Sequence, residues 1–415
     1  MFNPSDHPVY PELQEACQYY PAIDNHAHPL LKEEHRDRFD FEGLISEAQG
    51  SALAVDAVHT LACRRAVPQL AAVLNLQNAT WESIKAARAK LPYSDLCNLF
   101  MHPSVTGIQC MLLDDGLGGV EEFAEGLSWH DKFAGSPTRR IVRVEIVAEG
   151  VLHPLLKPHQ AINASTLNSF NVALKASLTE SGNDDNVVGF KSIACYRTGL
   201  DVAPSAESDE SILTCLREVY TTYQQTGKIR LAHKTLNDHV VRMALEVAGK
   251  CGKPVQFHTG LGDNDITLNR SSPSCLQPAI KAYPDTLFVL LHSSYPFTRE
   301  AGYLTAVYPN VFLDFGEVFP FVSGAGQRSI IQQVLELCPT NKILWSTDGH
   351  WWPESFYLGV VQARQALYDV LSEYVARGEL TERDAVITVQ NSLFHNANKL
   401  YNLRLEPDLS FFARK

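Results

Sequence analysis

Eight short apolar runs, each closing on or beside a polar residue and set apart by longer connecting stretches, constrain this chain more than any other feature. The first leads into Ile23-Asp24-Asn25-His26-Ala27-His28. The others are Thr106–Leu113, Ile141–Ile146, Val187–Ile193, Pro254–His258, Leu287–His292, Val311–Gly316 and Ile343–Asp348. Near-continuous apolar runs suit parallel strands buried on both faces. Eight strand–helix units in one sheet predict an α/β chain forming a (β/α)8 TIM barrel as one domain over residues 1–415, with chemistry gathered at the carboxyl ends of the strands. An open doubly wound sheet is the competing architecture. It would call for a glycine-rich phosphate loop, and Gly116-Leu117-Gly118-Gly119 fits a turn better than that motif.

The spacing predicts a short amphipathic helix over 5–20, before the first strand. Between the first two strands the pattern turns helical, over about 29–104. This is far longer than an ordinary connection and predicts an inserted helical segment over one end of the sheet. Within it Ala54–Leu74 reads as helix, and Thr80-Trp81-Glu82-Ser83 reads as a helix start with Thr80 as N-cap. Glu382–Leu403 reads as a helix pair packed on the outside.

The balance of 35 basic against 47 acidic residues, a net charge of −12, argues against a nucleic-acid partner. Nine cysteines without a CxxC pair read as reduced thiols. The first residues show no secretory signal, and no apolar run approaches the ~18 residues a membrane span needs. A cytoplasmic protein with a small-molecule substrate and no membrane partner is expected, with a homodimer left open.

The strand ends carry the chemistry. On a strand, His26 and His28 face the same way about 7 Å apart, so one metal ion can be held from one side. The other ends supply Lys191, His258, His292 and Asp348, and all but the lysine are common metal-ligand types. A barrel brings the whole set to one mouth. Tyr196 and Arg197 follow strand four, and an arginine near a metal suits a substrate carboxylate. Glu145 and Glu317, near the ends of strands three and seven, are candidates for a substrate amine. His350 is a candidate for the pocket, Trp351 and Trp352 for packing or a pocket wall. His35, His59, His130 and His233 read as surface residues.

In the order and spacing of these residues the chain resembles the amidohydrolase superfamily. More narrowly, Ile23–His28, Gly189-Phe190-Lys191-Ser192-Ile193 with Tyr196-Arg197, and Thr347-Asp348-Gly349-His350 resemble the amidohydrolase-2 group. Within it they resemble the amidohydrolase half of fungal FluG and plant nodulin/glutamine-synthetase-like proteins. The resemblance spans about residues 10–403 and leaves no room for the synthetase-like half. It implies one or two divalent ions, Zn2+ before Mn2+. His26, His28 and Asp348 would hold the more buried ion, and His258 and His292 the more exposed one. Lys191 would be a carbamate bridging two ions, or a cation gripping a substrate carboxylate. It further implies hydrolysis of a C–N amide bond in a small carboxylate-bearing substrate, with Asp348 as general base and acid. Non-oxidative decarboxylation, or a non-catalytic signalling role on the same fold, are the alternatives.

Overall fold

The computed structural model describes residues 9–117, 122–157 and 161–410. Eight parallel strands run in sequence order around one sheet: β1 Ala22–Ala27, β2 Ile108–Asp114, β3 Arg139–Arg143, β4 Val187–Ser192, β5 Val255–Phe257, β6 Phe288–Leu290, β7 Val311–Asp314 and β8 Ile343–Leu344. Almost every strand residue is buried, as the apolar runs require. The ring closes just beyond β8. There Asn25 N donates to Trp345 O at 3.2 Å, Asp348 N to His26 O at 3.0 Å and His28 N to Gly349 O at 2.8 Å. The fold is therefore the (β/α)8 barrel that the pattern predicts.

The strand boundaries differ in an instructive way. β3 ends at Arg143, and Val144–Leu152 is already helix. The apolar run crosses from strand to helix without a break in hydrophobicity, so Glu145 sits in a first helical turn, not at a strand end. β8 keeps only two ladder residues, because Trp345–Asp348 turn their hydrogen bonds onto β1 instead. The amino-terminal helix is Pro11–Tyr19; positions 5–8 of its expected span, and Gly118-Gly119 of the expected turn, lie outside the described residues.

Between β1 and β2 stand the helices Leu61–Val73, Trp81–Ala89 and Tyr93–Met101. Thr80 caps the second in a reciprocal capping box with Ser83. The expected helix from Ala54 is broken at Thr60, whose extended backbone caps a fresh start at Leu61. The segment docks through Arg88, whose Nε donates to Glu354 Oε1 at 2.6 Å on the 24-residue helix Pro353–Ala376.

The carboxyl-terminal helices Glu382–Gln390 and Asn396–Leu400 do more than cover the outside. Phe394, Ala397, Leu400 and Tyr401 join Ile23, Leu112, Ile141, Val289 and Leu344 in an apolar cluster that fills the amino-terminal end of the barrel. Above it lies a polar layer, where Tyr401 Oη donates to Asn25 Oδ1 at 3.0 Å and Gln256 Nε2 donates to Tyr401 Oη at 2.8 Å. Apolar side chains thus stop short of the opposite mouth, where the ligand-type residues sit.

Candidate metal centre

A break in register between Asp24 and Ala27 re-aims the end of β1, as bulges near functional sites do. Ile23 and Asn25 point into the barrel below it, while His26 and His28 point to the mouth above it. Their rings stand 4.9 Å apart at their centroids. Other strand ends bring His292 to 5.6 Å from His26 and His258 to 4.2 Å from His292. Asp348 completes the group, with Oδ1 at 3.4 Å from His26 Nε2 and 3.5 Å from His28 Nε2. Lys191 Nζ lies 2.9 Å from His26 Nε2, fully buried. All six expected residues therefore meet at one place.

Two partners were not foreseen. Glu317, expected to meet a substrate amine, has Oε2 3.6 Å from His292 Nδ1 and falls within metal-ligand spacing of His258 and His292. Asp114, at the end of β2, forms a similar trio with His26 and His28. Its carboxylate accepts from Arg143 Nε at 2.9 Å and Nη2 at 2.6 Å, and its carbonyl lies 2.9 Å from His28 Nδ1. That carbonyl can only accept, so it fixes the proton on Nδ1 and leaves Nε2 as a lone pair facing Asp348. By the same logic, Leu261 O at 2.6 Å from His258 Nε2 leaves His258 Nδ1 as the free donor atom.

The backbone is strained where these side chains leave it. His292, Ser293, Ser294, Glu317 and Asp348 all have positive φ, between 50 and 67°, a region non-glycine residues avoid and which gathers at functional sites. Asp314, at the end of β7, holds this geometry. Its Oδ1 accepts from His292 N, Gly316 N and Ser346 Oγ, and its Oδ2 from Asn25 Nδ2 at 2.7 Å. One buried carboxylate thus ties the ends of β6, β7 and β8 to β1. Asp114 and Asp314 were legible only as polar endings of the runs CMLLD and VFLD; nothing in their spacing set them apart.

Electrostatics follow from burial. Desolvation pushes the His258 imidazole down to about 3, and it holds His26 and His292 well below their usual range, helped by Lys191 and neighbouring imidazoles. All three are neutral ligand forms. Burial also drives Lys191 downward, against the pull of Asp114 and Asp348. Burial alone would raise Asp348, but its neighbours His28, His350 and Lys191 outweigh it and hold that carboxyl low. Glu317 is raised by burial and by Asp348.

The residues present fit a divalent cation. His26 Nδ1, both His292 nitrogens, Glu317 Oε2 and Asp348 Oδ1 are buried without a hydrogen-bond partner among the described residues, a cost that a cation would reduce. A cavity of about 510 Å3 opens above them, lined by His28, Lys191, His258, Glu317, Asp348 and His350 among others. Tyr196 and Arg197 line it too. Tyr196 packs at a tilt against His258, centroids 4.5 Å apart, and Arg197 pairs with Glu149 at 3.2 Å while its buried Nε has no partner among the described residues. His350 lines it, with Nδ1 2.9 Å from Asp348 O. Trp351 forms a wall, and Trp352 packs beneath against Phe41.

Glu145 does not reach the cavity. Its Oε1 accepts from Ser192 Oγ at 2.7 Å and Ile193 N at 3.0 Å, bracing the end of β4 beside Lys191. His130, expected at the surface, is fully buried; its Nε2 accepts from Leu30 N at 3.0 Å and its Nδ1 lies 3.0 Å from Gly126 O.

In its closed eight-stranded barrel and the ligand-type residues at its mouth, the chain resembles amidohydrolase-type proteins. Residues 226–402 match the Amidohydro_2 family of amidohydrolases. Protein fluG of Emericella nidulans is 44% identical over 413 residues, covering 95% of this chain and 47% of that protein. The chain thus spans about half the length of the curated relative it matches. A structure classed as a metal-dependent hydrolase from Lactobacillus casei ATCC 334 aligns over 94% of this chain and 97% of that one, at 24% identity and a TM-score of 0.76. A uronate isomerase from Bacillus halodurans C-125 aligns over 95% and 96%, at 14% identity and a TM-score of 0.64. At such identities these two likenesses are of fold. Among the described residues, no helix is long and apolar enough to cross a membrane.

Proposed function

We propose that this chain is a metal-dependent hydrolase that cleaves a C–N amide bond in a small, carboxylate-bearing substrate. The observation that carries this reading is the set of unpartnered imidazole and carboxylate atoms buried under the cavity. His26, His28 and Asp348 would hold one divalent ion, Zn2+ or Mn2+, and His258, His292 and Glu317 a second. When bound, such an ion supplies Lewis acidity that activates water and polarises the amide carbonyl. Asp348 Oδ1 takes the proton of the attacking water and returns it to the leaving nitrogen. Arg197 offers its unpartnered Nε to the substrate carboxylate, and Tyr196 and Trp351 shield the bond from bulk water.

Lys191 serves as a carbamate in this reading. Buried without a carboxylate in salt-bridge contact, its amine loses its proton readily. The neutral nitrogen adds to CO2 with release of one proton, making an anion fit for a cation. Decarboxylation would instead need a cationic Lys191 to grip the substrate, which the same burial disfavours.

The test is to load the protein with Zn2+ or Mn2+ and screen N-acyl amino acids and γ-glutamyl amides for amine release. Hydrolysis that falls about 10²–10⁴-fold in Asp348→Asn is the expected result. Full loading with no turnover of any amide in the screen, or carboxylate loss in its place, would overturn it.

A further inference from the structure

The cavity above the metal centre is not uniformly charged. Arg197 and Arg230 line it, while Glu47, Asp263 and Asp265 line it as well. The cations are already engaged, Arg197 with Glu149 and Arg230 with Asp265 at 3.0 Å. Asp263 accepts from the backbone of Asp265 at 2.9 Å. Glu47 differs from all of these: among the described residues it has neither a hydrogen bond nor an ion pair. It is half-buried in an irregular stretch following the turn Phe41–Leu44, and so belongs to the segment between β1 and β2, not to the barrel.

A half-buried carboxylate with no hydrogen-bond partner is held less favourably than one in open water. It is retained in a binding cavity where a ligand brings the missing positive group. Among the described residues no lysine or arginine pairs with it, and the His350 imidazole is the one neighbour that favours its charged form; a substrate ammonium would supply the missing ion pair. Asp348 and Glu317 lie across the same cavity, within metal-ligand spacing of the imidazoles. Glu47 is therefore the carboxylate left over for a substrate cation.

We propose that Glu47 anchors a cationic amine of the substrate, so that the site takes compounds bearing an ammonium group as well as a carboxylate. The inference rests on the hydrolase reading only for the identity of the reaction; the binding it describes can be read without turnover. Arg197, through its spare Nε, holds the carboxylate at one wall, and Glu47 the ammonium at another. The segment between β1 and β2 then sets which acids are accepted, while the barrel supplies the chemistry.

The test is calorimetric binding to the Zn2+-loaded protein of three matched pairs that differ in the amine alone: L-glutamate and glutarate, L-alanine and propionate, L-phenylalanine and 3-phenylpropionate. The wild-type protein is expected to favour the aminated member of at least one pair by tenfold or more. Glu47→Gln should remove that preference, leaving the affinity for the amine-free acid within about twofold. Asp263→Asn, the control for general loss of negative charge, should keep most of it. A wild-type protein that distinguishes no pair, or a Glu47→Gln variant that retains the preference, overturns the proposal. If the preference is present and lost as stated but no amide is cleaved, the hydrolase reading fails and this one stands.

Discussion

His130 shows what a single buried imidazole can do to stability. Burial pushes it down to about 4, against about 6.5 in an unfolded chain. The unfolded state therefore gains a proton, and the folded state does not, as pH falls from 6.5 to 4. Stability from this residue is full above about pH 6.5 and is lost progressively down to about pH 4, by about 3 kcal/mol. Denaturant unfolding at pH 7 and pH 5 should show a smaller acid loss in His130→Gln than in the wild-type protein. Equal losses would mean the ring is not held neutral. Glu145 separates two roles at the same scale. Glu145→Ala leaves the Ile193 amide and Ser192 hydroxyl without an acceptor and should cost about 1–3 kcal/mol. Glu145→Gln keeps the accepting oxygen and should recover most of it. A raised KM in Glu145→Gln, with stability intact, would instead return this residue to substrate binding.

At the scale of the elements, the crossing of β7 and β8 tolerates no side chain. A Cβ on Gly316 would stand 1.9 Å from Ser346 Oγ and 2.8 Å from Ser346 O. Gly316→Ala must push apart the two strand ends that Asp314 ties together, and about 1–3 kcal/mol of destabilisation is expected in equilibrium unfolding. A neutral result would show that the seam yields. These ends were also where the sequence was most readable. Buried parallel strands need apolar runs, and residues that leave them at the mouth are polar because no core receives them, so His26, His28, Lys191, His258, His292 and Asp348 stood out. Asp114 and Asp314 did not, since a carboxylate that braces backbone amides looks the same in sequence as one that binds metal. The helix Pro353–Ala376 carried no amphipathic stripe, because it is buried on most of its faces, and periodicity is informative only for a helix with one wet side. The helix after β3 hid for the related reason that its first turn continues the apolar run of the strand.

For the whole molecule, an ion at the candidate metal centre would supply stability as well as chemistry. Its candidate ligands come from β1, β4, β5, β6, β7 and β8 and the connections that follow them, so an ion held there binds only the closed barrel. At free metal a hundredfold above Kd this contributes about 2.7 kcal/mol. Thermal unfolding should move upward with Zn2+ and downward after chelation, and His26→Ala combined with His258→Ala should abolish the difference. An unchanged midpoint in the wild-type protein would argue against a resident ion.

The seam between β1 and the residues after β8 has a consequence in time. His26 and His28 leave the ribosome more than 300 positions ahead of Asp348. At about 5–20 residues per second, that interval is roughly 20–60 s. Throughout it the nascent chain carries a pair of exposed imidazoles with no partner carboxylate from the seam, and no partial product can seal the barrel. Selection of an ion at this site would thereby be postponed until Asp348 has emerged.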